Sequence, residues 1–503
     1  MPVLSYLFIL MDPQFWLALI AVIIIQFVVR LYILWFRMPP GPFPLPFIGN
    51  FLHFPKDKHN YEVFYEQYKK YGDPVTMFFA HTPAVCITKY ELAKSVFQQT
   101  TFSCRPNSPV LNLICNGYQD IALSKYNPLL VFHRKVISKC IKLTSGTECL
   151  EKIVHESVDS TVQSMLKKSD DVDSELHICH IVYNILTLLA CRKKYEIDDP
   201  EFLNIKKEND KGLQEFVDCL TYDLIPCGDF LPLKLIPAVK HVVDSEQAFG
   251  RFRLKQLEEN RKTFVEGHIR DFYDALLQEQ ATLKKECPEQ AEKLADQYLA
   301  WIIMHFFSDD VDPASRTCVW VLLYLVLYPD IQEECYQEIK GAIGNRAPNL
   351  NDRSKLPLVE AFILECLRLR PVSPLGLAHA PTNDTKIGDY FVPKGALVMP
   401  NTYAMHTDPE YWRDPLEFNP RLHFIDEHGQ VRSPPSFAPF GFGRRICPGE
   451  QLSKNFMFLA FARLLQQLRL EPKEGVKYTT DFDLKEAFNL RAFPFSIKVS
   501  ARI

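Results

Sequence analysis

A chain of 503 residues with 47% hydrophobic and 23% charged residues has the make-up of an ordinary globular protein with a large core. Its formal net charge of -4 gives no global signal for nucleic-acid binding. Fourteen cysteines, among them Cys86, Cys140, Cys219 and Cys335, are scattered without framework spacing, which argues against a disulfide-built secreted domain and for inert buried thiols in a reducing compartment.

In chain order, the first feature is apolar. Phe15 to Val29 carries no charge, and extension to Phe36 gives enough residues to cross a bilayer if Arg30 snorkels. No small-residue cleavage site follows, so residues 1–37 are expected to be an uncleaved membrane anchor rather than a signal peptide. Arg30 and Arg37 follow the apolar run while Asp12 precedes it, which places the rest of the chain in the cytosol by the positive-inside rule. Residues 38–50 hold prolines at 39, 40, 42, 44 and 46, which cannot continue a helix and are expected to form a semi-rigid hinge.

Residues 51–503 read as one α-rich domain with a few short strands. Thr82 to Tyr90 is β-branched enough to be a strand and leads into a helix over Glu91–Gln98. Amphipathic helical segments follow at His133–Leu143, Glu151–Lys167, Leu176–Leu189, Glu246–Lys284 and Lys293–Tyr328. No linker, repeat or charge block divides them. In FILECLRLRP, Glu365 and Arg368 stand three apart on one helix face; on a surface such a pair contributes only about 0.2–0.5 kcal/mol.

The most informative stretch is PFGFGRRICPGE, Pro439 to Glu450, a stiff basic loop around one cysteine. Arg444 and Arg445 favour the thiolate of Cys447, the form that binds metals, and no second cysteine or histidine stands at zinc spacing. A lone thiolate points to haem, where it favours O–O cleavage.

Phe440, Gly443, Arg445, Cys447 and Gly449 resemble the haem loop of the cytochrome P-450 superfamily, and Glu365 with Arg368 resembles its ExxR helix. The apolar anchor and PPGP hinge resemble its animal microsomal group of drug and steroid hydroxylases, and the likeness covers roughly residues 38 to 500, with matching segments in order at DDPEF, LLYLVLYPDIQEE and MHTDPEYWRDPLEFNP. The resemblance implies a mainly α fold with small β-sheets and a haem bound through Cys447. It implies that Phe440 packs on the ligand side, that Gly443 and Gly449 let main-chain amides approach the sulfur, and that Arg445, Arg134 and His379 meet the haem propionates. Glu365, Arg368 and His423 would form a buried structural network. By the same likeness the partners are NADPH-cytochrome P-450 reductase and cytochrome b5, docking on basic residues near Cys447 with Lys135, Lys139 and Lys142, and the location is the endoplasmic reticulum membrane.

Three departures from the pattern stand out. Leu130 occupies the place of a tryptophan that gives the family a propionate donor, and the RLHF segment has one extra residue before His423. On the helix that crosses the distal haem face, the small–Gly–x–acid–Thr–Thr/Ser pattern falls on Asp309, Asp310, Val311, Asp312, Pro313 and Ala314. Asp312 keeps the acid, but Pro313 replaces the alcohol that delivers protons to bound dioxygen, leaving Asp309, Asp310 and Asp312 as candidate donors. Three activities remain open: a monooxygenase acting on a steroid, fatty acid or xenobiotic, an isomerase or dehydratase acting on a lipid peroxide, and a haem-containing lipid or steroid binder. The cavity is expected to draw on Ser108–Asn127, Phe306–Val311 and Ser373–Leu377.

Overall fold

The computed structural model describes residues 13–115, 121–224, 232–308, 311–484 and 489–502. The first helix, α1 (Pro13–Arg37), has a mean hydropathy of 2.6 over its most apolar window, and that window is 6% buried, so it is long and apolar enough to cross a membrane. A second helix that passes this test among the described residues, Ser174–Cys191, is 78% buried and belongs to the core.

The proline-rich segment after α1 is fastened to the domain. Leu31 and Met38 are buried, and the Tyr32 and Trp35 rings close on Phe43 at 4.8 and 5.3 Å. Asn50 donates to the carbonyls of Pro42 and Phe43 and accepts from Phe78 N at 2.7 Å. A Cβ at Gly41 would stand 1.8 Å from Thr76 O, so only glycine lets the chain lie this close to the first strand. The hinge read from the prolines is thus a seam, because Asn50 satisfies carbonyls that a free spacer would leave to water.

That first strand, β1 (Val75–Phe79), pairs antiparallel with β2 (Thr82–Ile87), which pairs parallel with β6 (Leu397–Pro400). A second sheet has the order β3 (Val172–Asp173), β8 (Ser496–Ala501), β7 (Leu468–Pro472), and β4 (Thr385–Ile387) pairs with β5 (Tyr390–Val392). Strand β2 stops at Ile87, short of Tyr90, because Asp73 takes both the amide and the hydroxyl of Thr88 at 2.7 and 2.8 Å and turns the chain into the helix Tyr90–Phe97.

The helical core is built from α2 (Pro128–Thr144), α3 (Thr147–Lys167), α4 (Ser174–Cys191), α5 (Val311–Leu327), α6 (Pro357–Leu369) and α7 (Glu450–Gln467), whose apolar faces share one large cluster with Trp320 and Phe362 inside. Helix α2 starts at Pro128, five residues before the expected His133, because Asn127 accepts from Leu130 N and caps it. The expected helix Glu246–Lys284 is two helices, Pro237–Thr263 and Phe272–Glu286. Gly267 with φ +84° and the Asp271 cap, which accepts from Asp274 N at 2.9 Å, separate them. In the expected segment Lys293–Tyr328, helix spans Asp296–Ser308 and Val311–Leu327; Asp309 and Asp310 lie outside the described residues.

One buried polar network ties helix α6 to the segment that leads to Cys447. The side chains of Glu365 and Arg368 are both 0% exposed and form two hydrogen bonds of 2.7 Å. Arg368 also donates to the carbonyls of His406, Pro415 and Glu417, and its guanidinium lies 5.0 Å from the Trp412 ring centroid. His423 stands 2.8 Å from Glu365 through Nδ1 and 2.6 Å from Arg413 O through Nε2, so the imidazole joins the pair to the segment ahead of it. Burial alone raises the Glu365 carboxyl, but the bonds from Arg368 and His423 outweigh it and hold it below the usual carboxylate range. The solvated i, i+3 pair that spacing alone suggests is therefore corrected to a dry, fully bonded one.

His406 extends this network. Its Nδ1 donates to Arg368 O at 3.1 Å and its Nε2 accepts from Ala438 N at 2.9 Å, which leaves no site for a second proton; burial pushes its pKa down to about 3. A depressed histidine contributes stability that is complete above the unfolded value of about 6.5 and is lost as pH falls toward the folded value. Thermal midpoints measured between pH 7 and pH 5 are expected to fall, with His406 accounting for about 2 kcal/mol of the loss. His406→Gln should flatten that slope. Removing one partner of the buried pair, as in Arg368→Met, leaves Glu365 uncompensated at a cost of about 3–5 kcal/mol, so its thermal midpoint should drop well below that of a surface control such as Lys58→Met.

Candidate active site

The cysteine loop owes its shape to local constraints. Gly443 adopts φ +59°, and a Cβ there would lie 2.2 Å from Phe97 O, so the loop can lie against the helix Tyr90–Phe97 only with glycine. Cys447 N donates to Phe440 O at 3.0 Å, closing the turn that presents a half-buried thiol at the N-terminus of α7. A Cβ at Gly449 would stand 3.7 Å from Cys447 Sγ, on the flank of the sulfur that glycine leaves open. The Phe440 ring packs against the main core, with the Lys454 ammonium 5.4 Å from its centroid.

Two arginines converge beside this loop, and one of them, Arg105, was missed in the sequence. Ala122 O accepts from Arg105 Nε at 2.9 Å and from Arg445 Nη2 at 2.6 Å, so the two buried guanidiniums share an acceptor. Arg105 further donates to Leu377 O and Ala378 O, and Arg445 to Ser124 O and Ile121 O. His379 lies in the same field: Nδ1 is 2.7 Å from Phe102 O, and burial first, then Arg105 and Arg445, push its pKa down to about 3. Two like charges held side by side on carbonyls fit a ligand with two carboxylates, the pattern a haem presents at its propionate edge. Arg105 carries no motif of its own, since only the fold brings it next to residues 377–379 and 445.

Arg134 stands on helix α2, beside the same loop. It donates through Nη2 to Ile446 O, bracing the residue next to Cys447. Leu130, in the place of the family's tryptophan, is fully buried in the apolar core. Among the described residues no group of three His, Cys, Asp or Glu side chains is placed to hold a free metal ion.

On helix α5 both carboxylate oxygens of Asp312 are engaged: Oδ1 accepts from Arg316 Nε at 2.6 Å and Oδ2 from Asn489 Nδ2 at 2.9 Å. Thr317 Oγ1 donates to Pro313 O at 2.8 Å, the carbonyl one turn back on the same helix. The other two candidate acids, Asp309 and Asp310, lie outside the described residues.

Comparison with known proteins agrees with this arrangement. The Cytochrome P450 family model matches residues 39–499. The chain is 32% identical over 437 residues to "Steroid 17-alpha-hydroxylase/17,20 lyase" of Gallus gallus, covering 85% of each protein. It is 29% identical to "Cytochrome P450 18a1" of Drosophila melanogaster, over 91% of this chain and 86% of that one, and 28% identical to "Cytochrome P450 2U1" of Homo sapiens, over 92% and 89%. With the thiol loop, the paired guanidiniums and the buried Glu365–Arg368 bond in one fold, the chain belongs to the cytochrome P450 family, the monooxygenases whose cofactor is a haem held by a cysteine thiolate.

Proposed function

We propose that this protein is a membrane-anchored monooxygenase of the microsomal type that inserts one oxygen atom into an apolar substrate of the steroid class. The observation that carries the reading is the Cys447 loop seated against Phe97, with Arg105 and Arg445 sharing Ala122 O beside it. The substrate class rests on the relatives, several of which are named as steroid 17-alpha-hydroxylase/17,20 lyase. When bound, the haem supplies dioxygen activation and oxygen transfer.

The protein's own residues do the rest. Cys447 would hold the haem through its thiolate, Gly449 leaves its sulfur accessible, and Arg134 braces the loop through Ile446 O. Arg105, Arg445 and His379 bind and orient the propionate edge. Electrons come from an NADPH-dependent flavoprotein reductase, with cytochrome b5 as a second donor. A concave surface lined by Arg134, Lys135, Lys139, Lys142 and Arg444 gives an acidic partner a matching field, although Lys139 is already paired with Glu279. The length and apolar character of helix α1 support an anchor in the endoplasmic reticulum membrane, and Arg30 and Arg37 at its C-terminal end support a cytosolic catalytic domain.

Asp312 favours a second reading as an outcome of the test. With both its oxygens engaged and Pro313 in the alcohol's place, a reaction that needs no proton for dioxygen, the rearrangement of a lipid peroxide, would suit this helix. Full-length protein reconstituted in vesicles with reductase and NADPH should hydroxylate at least one member of a steroid panel. Hydroperoxide conversion without reductant, together with no NADPH-dependent product, would instead favour the second reading. Arg105→Leu and Arg445→Leu are each expected to lower the haem-to-protein ratio that survives gel filtration, and the double variant to lower it further. An unchanged ratio in the double variant would remove these arginines from the cofactor site.

A further inference from the structure

The engagement of Asp312 reaches beyond its own helix. Asn489 donates its amide N–H to Asp312 Oδ2 at 2.9 Å and accepts from the Ser373 hydroxyl at 2.5 Å through Oδ1. The orientation of this amide follows from chemistry, since a carboxylate can only accept and so must face the NH₂ group. Asn489 is 3% exposed, so these bonds have little competition from water.

The neighbouring residues reinforce the contact. Leu490 N donates to Val372 O at 2.7 Å, and Leu490 O accepts from Trp320 Nε1 on α5 at 3.0 Å. Arg491 pairs with Glu175 on α4 at 2.8 Å. Three consecutive residues near the C-terminus thus bind helix α5, the 372–373 segment and helix α4. The segment that begins at Ser373 runs on to Leu377 and Ala378, whose carbonyls are held by Arg105, and then to His379. One end of this loop is therefore set by Asn489 and the other by the cofactor seat.

We propose that Asn489 is a positioning residue that latches Asp312 to Ser373 and thereby fixes the loop 373–378 as one wall of the pocket above the haem. Asp312, committed with Arg316 to this latch, shapes the pocket. Pure packing would need only an apolar side chain at 489, whereas an amide between a carboxylate and a hydroxyl sets direction as well as distance. The inference rests on the haem site and not on oxygen transfer, so it stands apart from the monooxygenase reading.

The test uses full-length haem-loaded protein and two probes that coordinate the iron: imidazole, which is small, and clotrimazole, whose bulk fills the pocket. Dissociation constants are read from the Soret shift. Asn489→Leu is expected to weaken clotrimazole about five-fold, the equivalent of one hydrogen bond, while imidazole changes by less than about two-fold. Adding Asp312→Asn should then do little more, because the two residues act through one contact. Ser373→Ala, which touches only the far end of the latch, should move the ratio of the two constants in the same direction, and Arg491→Met should not move it. The proposal is overturned if the ratio is unchanged in both Asn489→Leu and Ser373→Ala, if both probes weaken equally, or if Arg491→Met shifts the ratio as far as Asn489→Leu.

Discussion

The architecture around the thiol depends on one dry guanidinium. Arg368 places its donors on Glu365 and on the carbonyls of His406, Pro415 and Glu417, so a single side chain fixes helix α6 and the irregular segment that precedes the cysteine loop. An isolated charge this deep would be prohibitive, and it is tolerated because Nε, Nη1 and Nη2 of Arg368 all meet acceptors and the carboxylate is itself held by His423 and Asn419 N. Through His406, which takes Ala438 N, the same network reaches to within ten residues of Cys447. Irregular backbone of this length stays in place only when something satisfies its carbonyls, and here Arg368 does so.

The cofactor seat follows a second electrostatic logic. Arg105 and Arg445 repel one another and both depress His379, yet they share Ala122 O. A ligand with two carboxylates would meet both charges of this cluster at once. Binding of haem and stability of the fold are therefore coupled, since a ligand that binds only the native state stabilises it.

Much of this was legible in the sequence because the relevant residues are close together in it. The loop Phe440–Gly449 and the pair Glu365 and Arg368 are local patterns; the loop closes on the Cys447 N bond to Phe440 O, and the pair is buried. His423 joins the pair despite the extra residue in RLHF, because the short helix Pro420–Phe424 points its ring inward. What could not be read were contacts made by distant segments. Arg105 has no signature, the bond from Arg134 to Ile446 O spans separate segments, and the proline-rich hinge became a seam through Asn50. The break at Gly267 and Asp271 did carry local signals, a glycine and a capping aspartate, but the amphipathic pattern on both sides ran through them. Asn489, 177 positions from Asp312, was legible in no pattern at all.

Ligation of haem by the Cys447 thiolate is the central claim, and the ferrous carbonyl spectrum tests it most directly. The account predicts that purified full-length protein, reduced and exposed to carbon monoxide, gives the long-wavelength Soret band of a thiolate-ligated haem, and that Cys447→His loses it while any haem it retains gives the shorter-wavelength band of an imidazole complex. The account would be contradicted by a wild-type spectrum of the imidazole kind under mild conditions, or by a Cys447→His protein whose spectrum matches the wild type.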